Sequence, residues 1–227
     1  MLTADGYETR SSAKLENNDK ACEDTPMVRT PEIANLDRYL SLKIPPALTL
    51  NVSQEQFVAL SEANRDLRLE TTAKGELLAN PPTGWETGEQ NVEMAADLVI
   101  WNRNTKLGKV FDSSTGFRLP NGANRSPDAS WVSLARWYAL SDKQKSTFAE
   151  ICPDFAIELR SRSDALKPLQ DKMQEYLDNG MRLGWLIDPR NRRVEIYRCD
   201  RNVERLENPT TLSGEEVLPG FVLEVLF

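Results

Sequence analysis

The chain has 227 residues, 40% of them hydrophobic, which is enough for one well-buried domain of ordinary size accompanied by a tail. Its net charge of −7 leaves no overall basic footprint for nucleic acid, and the absence of any histidine removes His-based triads, His metal ligands and a His general base together. Acid–base chemistry is left to carboxylates, Lys, Tyr or Cys.

Residues 1–45 form the first segment. Met1 to about Thr30 are polar, charged and unperiodic, so they bury too little apolar surface to offset ordering entropy and read as a tail. Met1-Leu2-Thr3-Ala4-Asp5 lacks the basic-then-apolar run of a signal peptide. No stretch approaches the roughly 20 apolar residues of a membrane span, so a cytoplasmic protein without membrane contact is expected. Cys22, Cys152 and Cys199, odd in number and unpatterned, suit a reducing compartment. Asn35 to Leu42 reads as a short helix.

The single domain is expected over residues 46–227. Ala47 to Val52 reads as a short strand. Ser53-Gln54-Glu55-Gln56 has the form of a capping box and opens a helix to about Asn64. Leu67 to Thr71 and Glu76 to Ala79 flank a turn at Lys74-Gly75 and read as a hairpin. Val92, Ala95, Ala96, Val99 and Ile100 recur at helical spacing, which predicts a long amphipathic helix from Glu86 to Lys106. Strands follow at Lys109 to Ser114, Phe117 to Leu119 and Ser126 to Val132, then a short helix capped by Ser133.

Pro153 to Arg160 is a strand in which Phe155, Ile157 and Leu159 share one face while Ala156, Glu158 and Arg160 share the other. A helix capped by Ser163-Asp164 runs to about Asp178, with a buried stripe of Leu166, Leu169, Met173, Tyr176 and Leu177 and with Lys172 at its border. Leu183 to Asp188 reads as a central strand turning into Val194 to Arg198, and a last hairpin with the apolar end Phe221 to Phe227 is expected to close a sheet edge. The basic-rich stretch from Arg190 to Arg205 reads as solvated hairpin faces.

Burying Glu158 in an apolar strand is costly without a partner. Asp154, four residues earlier, is about 13 Å away along the strand and cannot share an ion with it, whereas Asp128 on a neighbouring strand can lie about 4.8 Å from it. Two such carboxylates make a hard, oxygen-rich site suited to Mg²⁺, or Mn²⁺ in its place. Arg160 would stabilise phosphate charge and Lys172 would handle a proton or position water. The structural alternatives are that Asp128 only makes a turn and that Glu158 sits in a buried ion pair.

The ordered set Ser126-Pro127-Asp128, Pro153 to Ser161, Lys172 to Tyr176, Asn179-Gly180 and Gly184 to Pro189 resembles the Uma-two family, bacterial endonucleases on the PD-(D/E)XK restriction-endonuclease fold. The resemblance spans roughly Ser53 to Phe227. It implies an α/β fold with a mixed central sheet flanked by helices and extra hairpins. It assigns Asp128 and Glu158 as metal ligands, places Glu70 on the first hairpin as a supporting residue, and makes Lys172 the lysine of the following helix. Asp154 matches the strand-opening Pro-Asp of the family.

There are three departures. The superfamily's E-x-K reads Glu158-Leu159-Arg160. The His that many members carry at the start of the long helix is replaced by a stretch offering only Glu86, Glu89 or Asn91. The family's Ser-Pro-Ser is Ser161-Arg162-Ser163. The implied activity is metal-dependent hydrolysis of DNA, and two symmetric sites of a homodimer suit cutting both strands. The alternatives are a non-catalytic binding or assembly module on the same fold, or a phosphoesterase acting on small nucleotides.

Overall fold

The structure, a computed structural model, describes residues 48–225 and 227. The expected tail, the helix at Asn35 to Leu42 and Cys22 lie outside the described residues. Leu48 to Val52 carries an isolated bridge, Asn51 to Glu76, in place of the expected strand. No helix among the described residues is long and apolar enough to cross a membrane.

The two most apolar segments become β7 (Phe155–Leu159) and β8 (Leu183–Asp188), buried along their whole length. They pair in parallel, which demands a crossover, and α5 (Leu166–Asp178) supplies it. β9 (Arg193–Arg198) and β10 (Glu204–Glu207) extend the sheet on one side. β6 (Ala129–Ser133) and β3 (Gly108–Asp112) extend it on the other, giving the order β10-β9-β8-β7-β6-β3 with only β7 and β8 parallel. This is the mixed central sheet that the sequence predicts.

Strand alternation sends the two faces to different helices. Phe155, Ile157, Leu159, Trp185 and Ile187 pack with Met94, Leu98 and Trp101 of α2 (Trp85–Thr105), while Ala156 and Leu186 pack with Met173 and Tyr176 of α5. Each fully buried large side chain of this kind contributes about 1.5–3 kcal/mol. The helix over Trp85–Thr105 is the one predicted, but its buried face is not. Val92 is 67% exposed and Ile100 56%, whereas Met94, Leu98 and Trp101 are buried. Three bulky side chains at i, i+4 and i+7 fill the space over the sheet better than a stripe rich in alanine.

A second sheet, of order β2-β1-β5-β4, is built on the predicted hairpin of β1 (Arg68–Thr71) and β2 (Leu77–Asn80). Gly75 turns it at φ +81, where a Cβ would lie 2.8 Å from the Val52 carbonyl oxygen. β5 (Asn124–Arg125), which the sequence reading lacks, joins β1 to β4 (Phe117–Arg118), and the strand expected from Ser126 to Val132 begins only at Ala129, as β6, after Ser126-Pro127-Asp128. α1 (Gln54–Ala63) carries the full capping box of Ser53 and Gln56. α3 (Leu134–Ala139) follows Ser133, whose side chain makes no cap bond; its N–H is taken by Asp154 instead. α4 (Asp142–Lys145) is a short helix that the sequence reading lacks. The Ser163-Asp164 cap is likewise replaced, because Asp164 accepts from the Ser161 N–H and the helix opens at Leu166 after Ala165.

The C-terminal expectation is corrected. β11 (Thr211–Ser213) and β12 (Val222–Glu224) form a separate two-stranded ribbon. Phe221 stacks on Trp185 at 5.9 Å and 13°, so this apolar end covers a sheet face rather than closing its edge. The edge is β10, where charge discourages further strand pairing. Four of the six arginines from Arg190 to Arg205 pair with acids: Arg193 with Glu207, Arg198 with Glu204 and Glu215, Arg201 with Asp200, and Arg205 with Glu195.

Candidate active site

Register sets the first contact. Ala129 lies opposite Ile157 in the antiparallel β6–β7 pair, and the Asp128 N–H donates to the Ile157 carbonyl, so Asp128 falls level with Glu158 just where β6 begins. Asp128 Oδ2 accepts from the Leu159 N–H at 2.9 Å, which aims the carboxylate along the strand end. Both carboxylates line a cleft of about 720 Å³ with Arg68, Trp85, Ser161 and Arg162.

α5 places Lys172 beneath them. Its amine lies 2.8 Å from Glu158 Oε1, 3.0 Å from Glu70 Oε1 and 3.3 Å from the Ser126 carbonyl oxygen, three acceptors for its three protons. The Tyr176 hydroxyl, one helical turn on, donates to Glu158 Oε1 at 3.0 Å. Among the described residues no group donates to Glu158 Oε2. Glu70, on β1, also accepts from the Ser126 N–H at 3.1 Å and pairs with Arg125, which in turn holds Glu175.

The charges are unevenly compensated. Burial drives the Glu158 carboxyl up to about 7, against the pull of Lys172 and with the push of Asp128 and Glu70. Burial acts on Glu70 in the same direction, but Lys172 and Arg125 outweigh it and hold that carboxyl below its ordinary value. The Lys172 amine is disfavoured by burial, yet Glu158 and Glu70 hold it above its ordinary value, so it is an ammonium. Burial and the adjacent Glu158 keep the Tyr176 phenol protonated as a donor.

The geometry thus brings together Glu70, Asp128, Glu158 and Lys172. Arg160 stands apart from them: its Nη1 lies 2.7 Å from Asp188 and its Nε donates to the Asp164 carbonyl. Asp154 also lies elsewhere, accepting from the Ser133 N–H and pairing with Arg136.

The sequence reading missed Arg68, whose Nη1 lies 3.1 Å from Asp128 Oδ1. Its signal was available, since Arg68 and Glu70 are two apart on one strand and share a face. Tyr176 was taken only as a packing residue, although four positions after Lys172 it shares that side of the helix. Nothing in the local pattern marks Arg125. Among the described residues no group of three or more His, Cys, Asp or Glu is arranged to hold a metal ion.

A carboxylate pair at the junction of two antiparallel strands, backed by a lysine from the crossover helix, thus lies on a mixed sheet. A crystal structure titled as a putative nuclease belonging to DUF820, from Anabaena variabilis, is similar with a TM-score of 0.59 and 18% identity, covering 69% of this chain and 86% of that one. The fold is restriction-endonuclease-like. A family model, Uma2, described as "Putative restriction endonuclease", matches residues 54–226, and the chain belongs to that family. No curated protein matches the chain.

Proposed function

We propose that the protein is a divalent-cation-dependent endonuclease that hydrolyses DNA phosphodiester bonds at the Asp128–Glu158 cleft and acts in the cytoplasm. The observation that carries this reading is Glu158 itself, a buried carboxyl driven up to about 7 that lines a cleft beside a second carboxylate. Such a group gains from an added cation.

The donor set fits Mg²⁺ or Mn²⁺. Both side chains are hard oxygen donors, and two carboxylates with the remaining positions left to water is the usual way Mg²⁺ is held. Asp128 and Glu158 would hold the ion, with Arg68 leaving Asp128 Oδ1; that arginine side chain is 32% exposed and borders the cleft. When bound, the ion supplies Lewis-acid charge at the phosphate and acidifies water.

The chain's own groups do the positioning. Lys172, with its three protons donated, fixes Glu158 Oε1 and Glu70 and does not act as a general base at rest. Tyr176 adds a second donor to the same oxygen. Glu70 anchors the lysine from the neighbouring sheet. Arg68 and Arg162 line the cleft and are the cations nearest a phosphodiester there, Arg162 from an exposed pair with Glu86, whereas Arg160 does not line it and is held in a largely buried pair with Asp188.

The test is cleavage of supercoiled, linear and single-stranded DNA with Mg²⁺ or Mn²⁺, run beside Glu158→Gln and Asp128→Asn. Both variants should keep the wild-type circular dichroism spectrum and lose cleavage by at least about a hundredfold. A folded Glu158→Gln variant that cuts as the wild type does would refute the assignment. A wild type that neither cuts nor takes up Mn²⁺ would instead identify a binding module on the same fold.

A further inference from the structure

The helix α2 carries two apolar faces, and the sheet covers only one of them. At about 100° per residue, Met94, Leu98 and Trp101 point to the sheet, and Trp85, Val92, Ala96 and Ile100 point the opposite way. Trp85 is 97% exposed, Val92 67% and Ile100 56%, and Ala96 is also exposed. An exposed apolar face from Val92 to Ile100, with Trp85 two turns before it and charged Glu89 and Arg103 at its ends, is what an interaction face looks like.

We infer that this face pairs with the same face of a second copy of this chain, the two α2 helices running antiparallel about a twofold axis at Ala96. The sequence along the helix is self-complementary in that arrangement and in no parallel one. Val92 and Ile100 lie four residues to either side of Ala96, about 6 Å along the axis, so Val92 of one copy meets Ile100 of the other. Glu89 and Arg103 lie seven residues to either side, about 10 Å, so each Glu89 meets an Arg103 across the axis.

Both of these charged side chains are exposed, and neither has an ion-pair partner among the described residues. A parallel pair would instead set Glu89 against Glu89. Alanine at the centre lets the two backbones approach closely, which helix packing at 8–10 Å between axes requires. An isologous contact of this kind closes on itself and stops at two copies. The face is short for an obligate interface, so the dimer is reversible, with a Kd on the order of micromolar. The inference does not depend on the catalytic reading.

The test is sedimentation velocity of the full chain from about 1 to 100 µM, spanning that range of affinity. The wild type should dimerise. Glu89→Arg and Arg103→Glu should each weaken self-association by about tenfold or more, because each sets like charges across the axis. An equimolar mixture of the two variants should re-form a dimer, as should the double variant Glu89→Arg/Arg103→Glu, while Ile100→Glu should dissociate with no such rescue. Circular dichroism should be unchanged in all of them. A wild type that stays monomeric at about 100 µM overturns the inference. So does a dimer indifferent to Glu89→Arg, Arg103→Glu and Ile100→Glu, or charge-swapped variants that fail to rescue one another.

Discussion

Lys172→Met removes the charge of the buried ammonium while roughly keeping the side-chain volume. It strips the partner from two carboxylates, Glu158 and Glu70, that are 1% and 2% exposed. Breaking a buried ion pair from one side costs about 3–5 kcal/mol. At about 2–4 °C per kcal/mol for a chain of this size, the melting temperature should fall by roughly 6–20 °C at pH 8. The loss should depend on pH in a definite direction.

Glu158 already has its folded carboxyl raised from 4.5 to about 7, and Lys172 is what holds it down. Without the lysine it rises further. A carboxyl raised on folding keeps its proton where the unfolded chain has lost it. Its stabilising contribution is therefore complete below about 4.5 and is lost as pH rises through the folded value. Glu70, held low by Lys172, adds a penalty that also grows above the ordinary carboxyl range. The variant should thus be damaged least near pH 5 and most near pH 8. Adding Glu158→Gln, which removes the stranded charge, should restore about 2 kcal/mol at the higher pH. Thermal unfolding followed by circular dichroism at both pH values reads this directly. A loss below about 1 kcal/mol, or one equal at the two pH values, would contradict the reasoning.

The same carboxyl makes cation uptake proton-linked: below about 7 a proton competes for Glu158, so Mn²⁺ affinity by calorimetry should fall by up to about tenfold per pH unit and release a proton. In Glu158→Gln that pH dependence should vanish along with most of the binding. Arg160→Ala should cost about 1.5–3 kcal/mol through its bonds to Asp188 and the Asp164 carbonyl, while cleavage by the folded variant stays within about twofold. A hundredfold loss of cleavage with the fold intact would put Arg160 back among the residues that meet the phosphate.

The Glu158–Asp128 neighbourhood was legible because the strand period and the interstrand spacing are rigid rules, and the β6–β7 register obeys both. The crossover helix and its buried stripe were legible because α5 is strongly one-sided, with Met173 and Tyr176 on its inner face. What failed was the choice among residues that local pattern treats as equivalent. Arg160 shares the strand and the parity of Glu158, but the chain leaves β7 there and Asp188, at the end of the parallel neighbour, captures the guanidinium. Arg68 reaches Asp128 from a different sheet, and no sequence period encodes that meeting. On α2 the helix was read correctly, but Val92, Ala96 and Ile100 of the expected stripe face outward, because a hydrophobic count does not weigh Trp101 against Ala96. The ribbon of β11 and β12 departs from expectation because a stacking contact between Trp185 and Phe221 fixes where that segment goes.

The pairing of Arg68 with Asp128 has a further consequence. Together with Lys172 and Arg125 it means that the site's acids are largely neutralised by cations the polypeptide carries itself. Folding this region therefore does not wait on an external ion. A newly made chain could then form this region in a chelating environment, and on the proposed reading loading would be an exchange in which a tethered guanidinium yields its place to a free cation. Under that proposal uptake would be set by how readily Arg68 lets go, and any anion that draws this arginine outward, a phosphodiester included, would favour loading of the site it enters.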